Sequence, residues 1–217
     1  MTRDVILVLG TKNAKKLREL AQLIAPAWDP NPRLGRLDVR SLDAFGPTPD
    51  VEEDAPDFAG NARKKASETA LALGQWALSD DSGLMVDALG GAPGVFSARY
   101  AGVHGADDAN NLKLLDVMKD VPDTERGAAF ACALAVSDPQ GKIHLEAQGF
   151  CRGRITRDWR GPQGFGYDPL FLIPEYHKTF GELGPIAKAQ LSHRARAFEK
   201  LRPALDRLIA SGSFDIA

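Results

Sequence analysis

The stretch "VILVLGTKNAKKLRELAQLIA" (residues 5–25) sets the fold class. Its first five residues, all apolar and rich in branched side chains, have the pattern of a strand covered on both faces. "GTKN" interrupts that run. Leu17, Leu20, Ala21 and Ile24 then recur at helical spacing, with Lys16, Glu19 and Gln22 off the stripe. A buried strand that feeds a short loop and a helix is how an α/β protein begins.

Working outward, "LDVRSL" (37–42) predicts a second strand beyond a Pro-rich surface loop at 26–36, and an acidic loop covers 46–57. The spacing predicts a helix from Phe58 to Leu73 with Asp57 as its N-cap. Phe58, Ala62, Ala66, Ala70 and Leu73 form its apolar stripe, while Asn61, Lys65 and Glu68 share another face. "WALS" (76–79) reads as a short strand that ends at Asp80 and Asp81. A helix over 107–120 is expected to pack through Leu112, Leu115 and Met118. Residues 128–150 read as a β-hairpin about "DPQGK", and "PLFLI" (169–173) as another strand. The last helix starts at Ser192 and carries Phe198, Leu201, Leu205 and Leu208, with Pro203 expected to kink or split it. Strands and helices do not alternate strictly, so the expected architecture is a mixed sheet with flanking helices, one domain over 1–217.

With 217 residues, 44% hydrophobic and 26% charged, the chain has the composition of a globular protein. A net charge of −2 gives no general pull toward nucleic acid or membrane, so any bound anion must be held by local cations. Two cysteines are too few for a disulfide framework, and no segment approaches the roughly 20 apolar residues of a membrane span. The expected compartment is the cytoplasm.

Four constellations can carry chemistry. "GTKNAKK" (10–16) sits between a buried strand and a helix N-terminus, where unpaired N–H groups and the helix dipole favour an anion. It is not a P-loop, because Lys15 replaces the second glycine and Leu17 the metal-binding Ser/Thr. A plain turn with solvated lysines is the alternative. Asp80 and Asp81 repel each other unless a cation is near; Mg²⁺ suits one or two carboxylates plus phosphate oxygens, with Glu52 and Glu53 as further ligands and Lys65 as a neutralising charge. Turn capping by Asp80 or Asp81 through Ser82 and Gly83 is the simpler account of the pair taken alone. "GFGYDPLF" (164–171) offers Phe165 and Tyr167 for stacking on a base and Asp168 as an acceptor, unless those rings belong to the core. His193 and Arg194 are cations in the first turn of a helix, against its dipole, which suggests a nearby anion; two solvated side chains are the simpler account.

Taken in order, "LGTKNAKKLREL", "FAGNARKKA", "DDSGLMVDALGGAPGVFSARYAG", "GFGYDPLF" and "KAQLSHRARAFEKL" resemble the signature blocks of the inosine-triphosphatase family, pyrophosphatases of non-standard purine nucleoside triphosphates. The resemblance runs from about Val5 to Leu201. It implies an elongated α/β fold of two lobes around a central cleft, usually a homodimer, which hydrolyses ITP, dITP and XTP with Mg²⁺. It further implies that Thr11, Lys12, Asn13, Ala14, Lys15 and Lys16 line the triphosphate, that Glu52, Glu53 and Asp81 hold the metal, and that Asp81 accepts the proton. Lys65 would contact phosphate and Ser82 would lie next to the substrate. Phe165, Gly166, Tyr167 and Asp168, with Lys188, His193 and Arg194, would grip base and sugar. Lys12, Lys15 and Gly60 depart from the family pattern. A Maf-like pyrophosphatase of modified pyrimidine nucleotides and a catalytically silent nucleotide-binding module are the rival readings.

Overall fold

The computed structural model of the chain describes residues 5–24, 37–48, 50–212 and 214. Seven strands, β1 (Val5–Leu9), β2 (Leu37–Ser41), β3 (Trp76–Val86), β4 (Gly127–Ser137), β5 (Ile143–Ile155), β6 (Phe171–Ile173) and β7 (Lys178–Thr179), form one sheet in the order β2-β1-β3-β4-β5-β6-β7. β1 pairs parallel with β2 and β3, whereas β5–β6 and β6–β7 are antiparallel, so the sheet is mixed as expected. The helices are α1 (Ala14–Ile24), α2 (Phe58–Leu73), α3 (Asp107–Val117), α4 (Phe180–Leu191) and α5 (His193–Ala210). Among the described residues no helix is long and apolar enough to cross a membrane. The Pro-rich stretch 26–36 lies outside the described residues.

The chain forms two compact units. One takes in the described residues up to Asp81, Ala133–Gly149 and those from Ala197 on; the other comprises Ser82–Cys132 and Phe150–Arg196. In the first unit, Leu7, Val8 and Leu9 are buried, as a strand covered on both faces requires. Ala62 and Ala66 of α2 meet Ala133 and Ala135 of β4. Small side chains on both surfaces let helix and sheet approach closely, which explains the alanines between the larger residues of β4. In the second unit, Phe130, Phe171 and Phe180 pack together with Leu84, Leu114 and Met118. Each buried aromatic or leucine contributes about 1.5–3 kcal/mol through area removed from water.

Five expectations are corrected. β3 does not stop before the acids but runs through Asp80, Asp81, Ser82 and Gly83 to Val86, because partners from other elements satisfy the charges. Leu112 is exposed, and α3 buries Asn110, Asn111 and Leu114 instead. Ala21 is exposed on α1. α5 is not split at Pro203. α4, which the sequence reading omits, starts from a capping box in which Thr179 and Glu182 exchange bonds, and breaks from helical geometry at Gly184, just before Pro185.

Gly60 has a positional reason. A Cβ there would come 2.7 Å from the Ala55 Cβ, so glycine lets the acidic loop pack on the first turn of α2. Asp57 caps that turn as expected, accepting from Gly60 N–H at 2.6 Å, and Ala55 N–H donates to Asn61 Oδ1 at 2.9 Å.

Candidate active site

In the first unit, the β1–α1 loop is held against β3. Gly10 N–H donates to the Leu78 carbonyl at 2.8 Å, and a Cβ on Gly10 would fall 2.2 Å from Ser79 Oγ. Thr11 and Asn13 form the turn, with Asn13 N–H donating to Thr11 Oγ1. Asn13 Oδ1 accepts from the N–H groups of Lys15 (2.9 Å) and Lys16 (3.2 Å), so its side chain caps α1. Ala14 and Lys15 are exposed in the first turn of that helix. The lysines diverge. Lys16 Nζ sits 3.6 Å from Asp80 Oδ2, while Lys12 Nζ donates to the Thr48 carbonyl and Asp50 across the acidic loop.

Asp80 and Asp81 are both buried, which a solvated turn does not explain. α2 presents Asn61 and Lys65, four residues apart and likewise buried. Asn61 Nδ2 donates to Asp81 Oδ2 at 3.0 Å. Lys65 Nζ lies 2.8 Å from Glu53 Oε1 and 3.5 Å from Asp81 Oδ1. Glu53, Lys65 and Asp81 therefore come together, whereas Glu52 and Glu68 are exposed. Although side chains alternate along a strand, both aspartates act on Lys65: they and Glu53 hold its ammonium above the usual range against burial, which works to lower it. Burial pushes Asp81 up despite Lys65 and Lys16. It also works to raise Glu53, but there Lys65 prevails and the carboxyl titrates lower.

Among the described residues, no group of three acidic, His or Cys side chains forms a ready metal cage. The donors nonetheless suit a hard divalent cation, which commonly takes one or two carboxylates and completes its shell with water and phosphate oxygens. Glu53 and Asp81 both face the Lys65 ammonium, and Asp80 pairs with Lys16 close by.

In the second unit, Asp168 is buried and accepts from Lys188 Nζ at 2.6 Å and from Phe165 N–H at 2.8 Å. The same ammonium lies 3.9 Å from the Phe165 ring centroid, a cation–π contact. Tyr167 is core: buried, with its hydroxyl donating to the Ser97 carbonyl at 2.9 Å. Gly166 links these two aromatics. Arg194, 1% exposed, donates to Ser82 Oγ at 2.9 Å, and His193, also buried, stacks on Phe130. Neither residue is the solvated side chain of the simpler account.

The description "Ham1 family" fits the model that matches residues 7–204. The chain belongs to the Ham1 family. Relatives of this Ham1 chain include the dITP/XTP pyrophosphatase of Rhodopirellula baltica, 53% identical over 98% of this chain and 99% of that protein. Another is the dITP/XTP pyrophosphatase of Pseudomonas aeruginosa, 47% identical over 92% and 96%. Among solved structures, a HAM1 protein from Coxiella burnetii matches with a TM-score of 0.82 at 36% identity, covering 94% of this chain and 99% of that one. These are the relatives to be expected from the five blocks in the sequence.

Two features of this Ham1 chain escape the sequence reading. Asn61 bridges the loop at Ala55 to Asp81, and the i, i+4 pair Asp107 and Asn111 holds the Gly166 peptide. The signal for the second was available, since "DDANN" opens a helix with polar residues exactly one turn apart where apolar ones are expected.

Proposed function

We propose that the protein is a homodimeric, cytoplasmic pyrophosphohydrolase acting on ITP, dITP and XTP, which releases the nucleoside monophosphate and pyrophosphate with Mg²⁺ as cofactor. Family membership carries the reaction class and favours this reading over a Maf-like enzyme or a silent nucleotide-binding module. One observation supports the assignment of catalytic parts: half-buried Glu53 and buried Asp81 share the buried Lys65 ammonium in a single cluster.

In this reading Glu53 and Asp81, with Glu52 beside them, hold the metal, which when bound offsets charge on the triphosphate and on the departing pyrophosphate. Lys65 and Lys16 neutralise phosphate oxygens, and residues 11–16 line the triphosphate. Asp81 orients the attacking water and takes its proton as the α-phosphorus is attacked; its raised pKa makes it the better base of the two carboxylates on Lys65. In the second unit, Ser82, Phe165, Gly166, Asp168, Lys188, His193 and Arg194 take base and sugar, while Tyr167 anchors their loop from the core. A 6-oxo purine can accept hydrogen bonds there. The 6-amino group of ATP sets donor against donor, a mismatch a hydrogen-bonding site rejects strongly.

The test is pyrophosphate release from ITP, XTP, dITP, ATP and a modified pyrimidine triphosphate with Mg²⁺. ITP and XTP are expected to be cleaved with kcat/KM far above that of ATP. Equal rates on all, or release of orthophosphate alone, sink the proposal.

A further inference from the structure

Two side chains of α3 grip one peptide unit from both sides. Asp107 Oδ2 accepts from Gly166 N–H at 3.0 Å, and Asn111 Nδ2 donates to the Gly166 carbonyl at 2.7 Å. The residues are four apart, hence on one face of the helix. Asn111 Nδ2 also donates to the Asp107 carbonyl at 2.8 Å, which fixes the amide's orientation, since the reverse would set its oxygen against two carbonyl oxygens. Asn111 is fully buried, and its Oδ1 has no hydrogen-bond partner among the described residues. A buried acceptor left unpaired works against stability. Packing therefore does not account for asparagine here, whereas its donor toward Gly166 does.

The gripped peptide joins two differently placed rings. Tyr167 is anchored in the core through Ser97, and Ser97 Oγ accepts from Leu84 N–H of β3 at 2.8 Å. Phe165, on the other side, faces Lys188, and its N–H bonds Asp168. Neighbouring Asn110 pins a second segment, accepting from Ala101 N–H at 2.7 Å and donating to the Ala98 carbonyl at 3.3 Å. α3 thus braces both the segment around Ser97 and the Phe165–Asp168 loop. Turning the Gly166 peptide would rotate Phe165 away from Lys188.

We infer that Asp107 and Asn111 are positioning residues for base selection: by fixing the Gly166 peptide they hold Phe165, Asp168 and Lys188 in the arrangement that separates 6-oxo from 6-amino purines. This rests on the proposed assignment of that group to the base. Calorimetric titration of IMP and AMP on the full-length protein tests it, with thermal midpoints and the kcat and KM of ITP hydrolysis measured alongside. Asn111→Asp removes the donor and is expected to reduce the preference for IMP over AMP by about tenfold, and to raise KM more than it lowers kcat. Asp107→Ala is expected to do the same, while Asp107→Asn, which keeps an acceptor oxygen, retains the preference. Leu114→Ala, a buried apolar change on the same helix, lowers the thermal midpoint and leaves the preference intact.

A preference that survives in both Asn111→Asp and Asp107→Ala overturns the inference, as does one lost equally in Leu114→Ala. Wild-type protein that binds IMP and AMP alike overturns it together with the base assignment. Wild-type protein that prefers IMP yet releases no pyrophosphate from ITP sinks the hydrolase reading alone, and the clamp is still judged by the binding ratios of the variants.

Discussion

Each unit buries a lysine against carboxylates, and the two arrangements are balanced differently. In the second unit Lys188 and Asp168 pair at 2.6 Å, supported by the Phe165 N–H and ring. In the first, Lys65 is shared by Glu53 and Asp81, with Asp80 and Lys16 close by. A balanced buried pair resists the loss of either member. Two acids that share one ammonium are relieved by losing one of them or by gaining a cation. Under the proposed function, the difference is that between the element that takes the base and the site that takes metal and phosphates.

The largest expected effect comes from breaking the balanced pair. Lys188→Met leaves Asp168 buried without its cation and is expected to cost about 3–5 kcal/mol of stability, measured by denaturant or thermal unfolding. Adding Asp168→Asn should recover most of that loss, because the uncompensated charge disappears with it. A single variant as stable as wild type breaks the comparison at its firmer end.

Asp81→Asn is the opposite case. Turnover of ITP is expected to fall by about a hundredfold or more, the scale for losing a general base. The thermal midpoint at neutral pH should be no lower than that of wild type. A carboxyl whose folded-state pKa is raised contributes stability below its unfolded value, and that contribution is lost as pH rises through the folded value. Above that window the ionised Asp81 is a net burden, which asparagine removes while still accepting from Asn61. The advantage of the variant should shrink as pH falls into the ordinary carboxylate range. A sharp loss of midpoint at neutral pH would mean that Asp81 is already well compensated, and the two units would no longer differ.

Lys65→Ala sharpens the same contrast by an intermediate effect. A lysine off the apolar stripe of α2 reads from sequence as solvated, so its loss should leave the fold alone. Lys65 is instead 9% exposed, and removing it takes away the ammonium that Glu53 and Asp81 share. Both activity and stability are expected to fall at neutral pH, with a stability loss of about 3 kcal/mol. That loss should ease on acidification, as the two carboxyls take up protons.

What the sequence could tell follows the range of the interactions involved. α2 was legible to the residue because its cap and its alanine stripe are local signals. The burial of Lys65 was not, since its partners lie on a loop and on a strand. For the same reason β3 reads as ending at "SDDSG": acids and glycine are poor strand formers, and partners such as Lys16, Lys65, Asn61 and Arg194, each from another element, make the continuation tolerable. In α3 the run "LKLL" supports more than one helical stripe, so which leucine faces inward is decided by the surrounding core. α4 hides behind two glycines and a proline, with only its Thr179–Glu182 box visible in advance.

The smallest effect concerns Lys12, one of the departures from the family pattern. Its ammonium bonds Asp50 and the Thr48 carbonyl on the surface, tying the β1–α1 loop to the acidic loop that carries Glu53. An exposed ion pair of this kind contributes little to folding, so Asp50→Ala should leave the thermal midpoint unchanged within error. Kinetics should separate the two partners. If Lys12 faces the triphosphate, Asp50 competes with phosphate for it. Removing the aspartate then lowers KM for ITP by roughly two- to threefold at low ionic strength and by less in salt, as screening predicts. Lys12→Ala should raise KM under the same conditions. If both substitutions raise KM alike, the pair serves to hold the two loops together, and the added positive charge of this loop has no part in capturing the nucleotide.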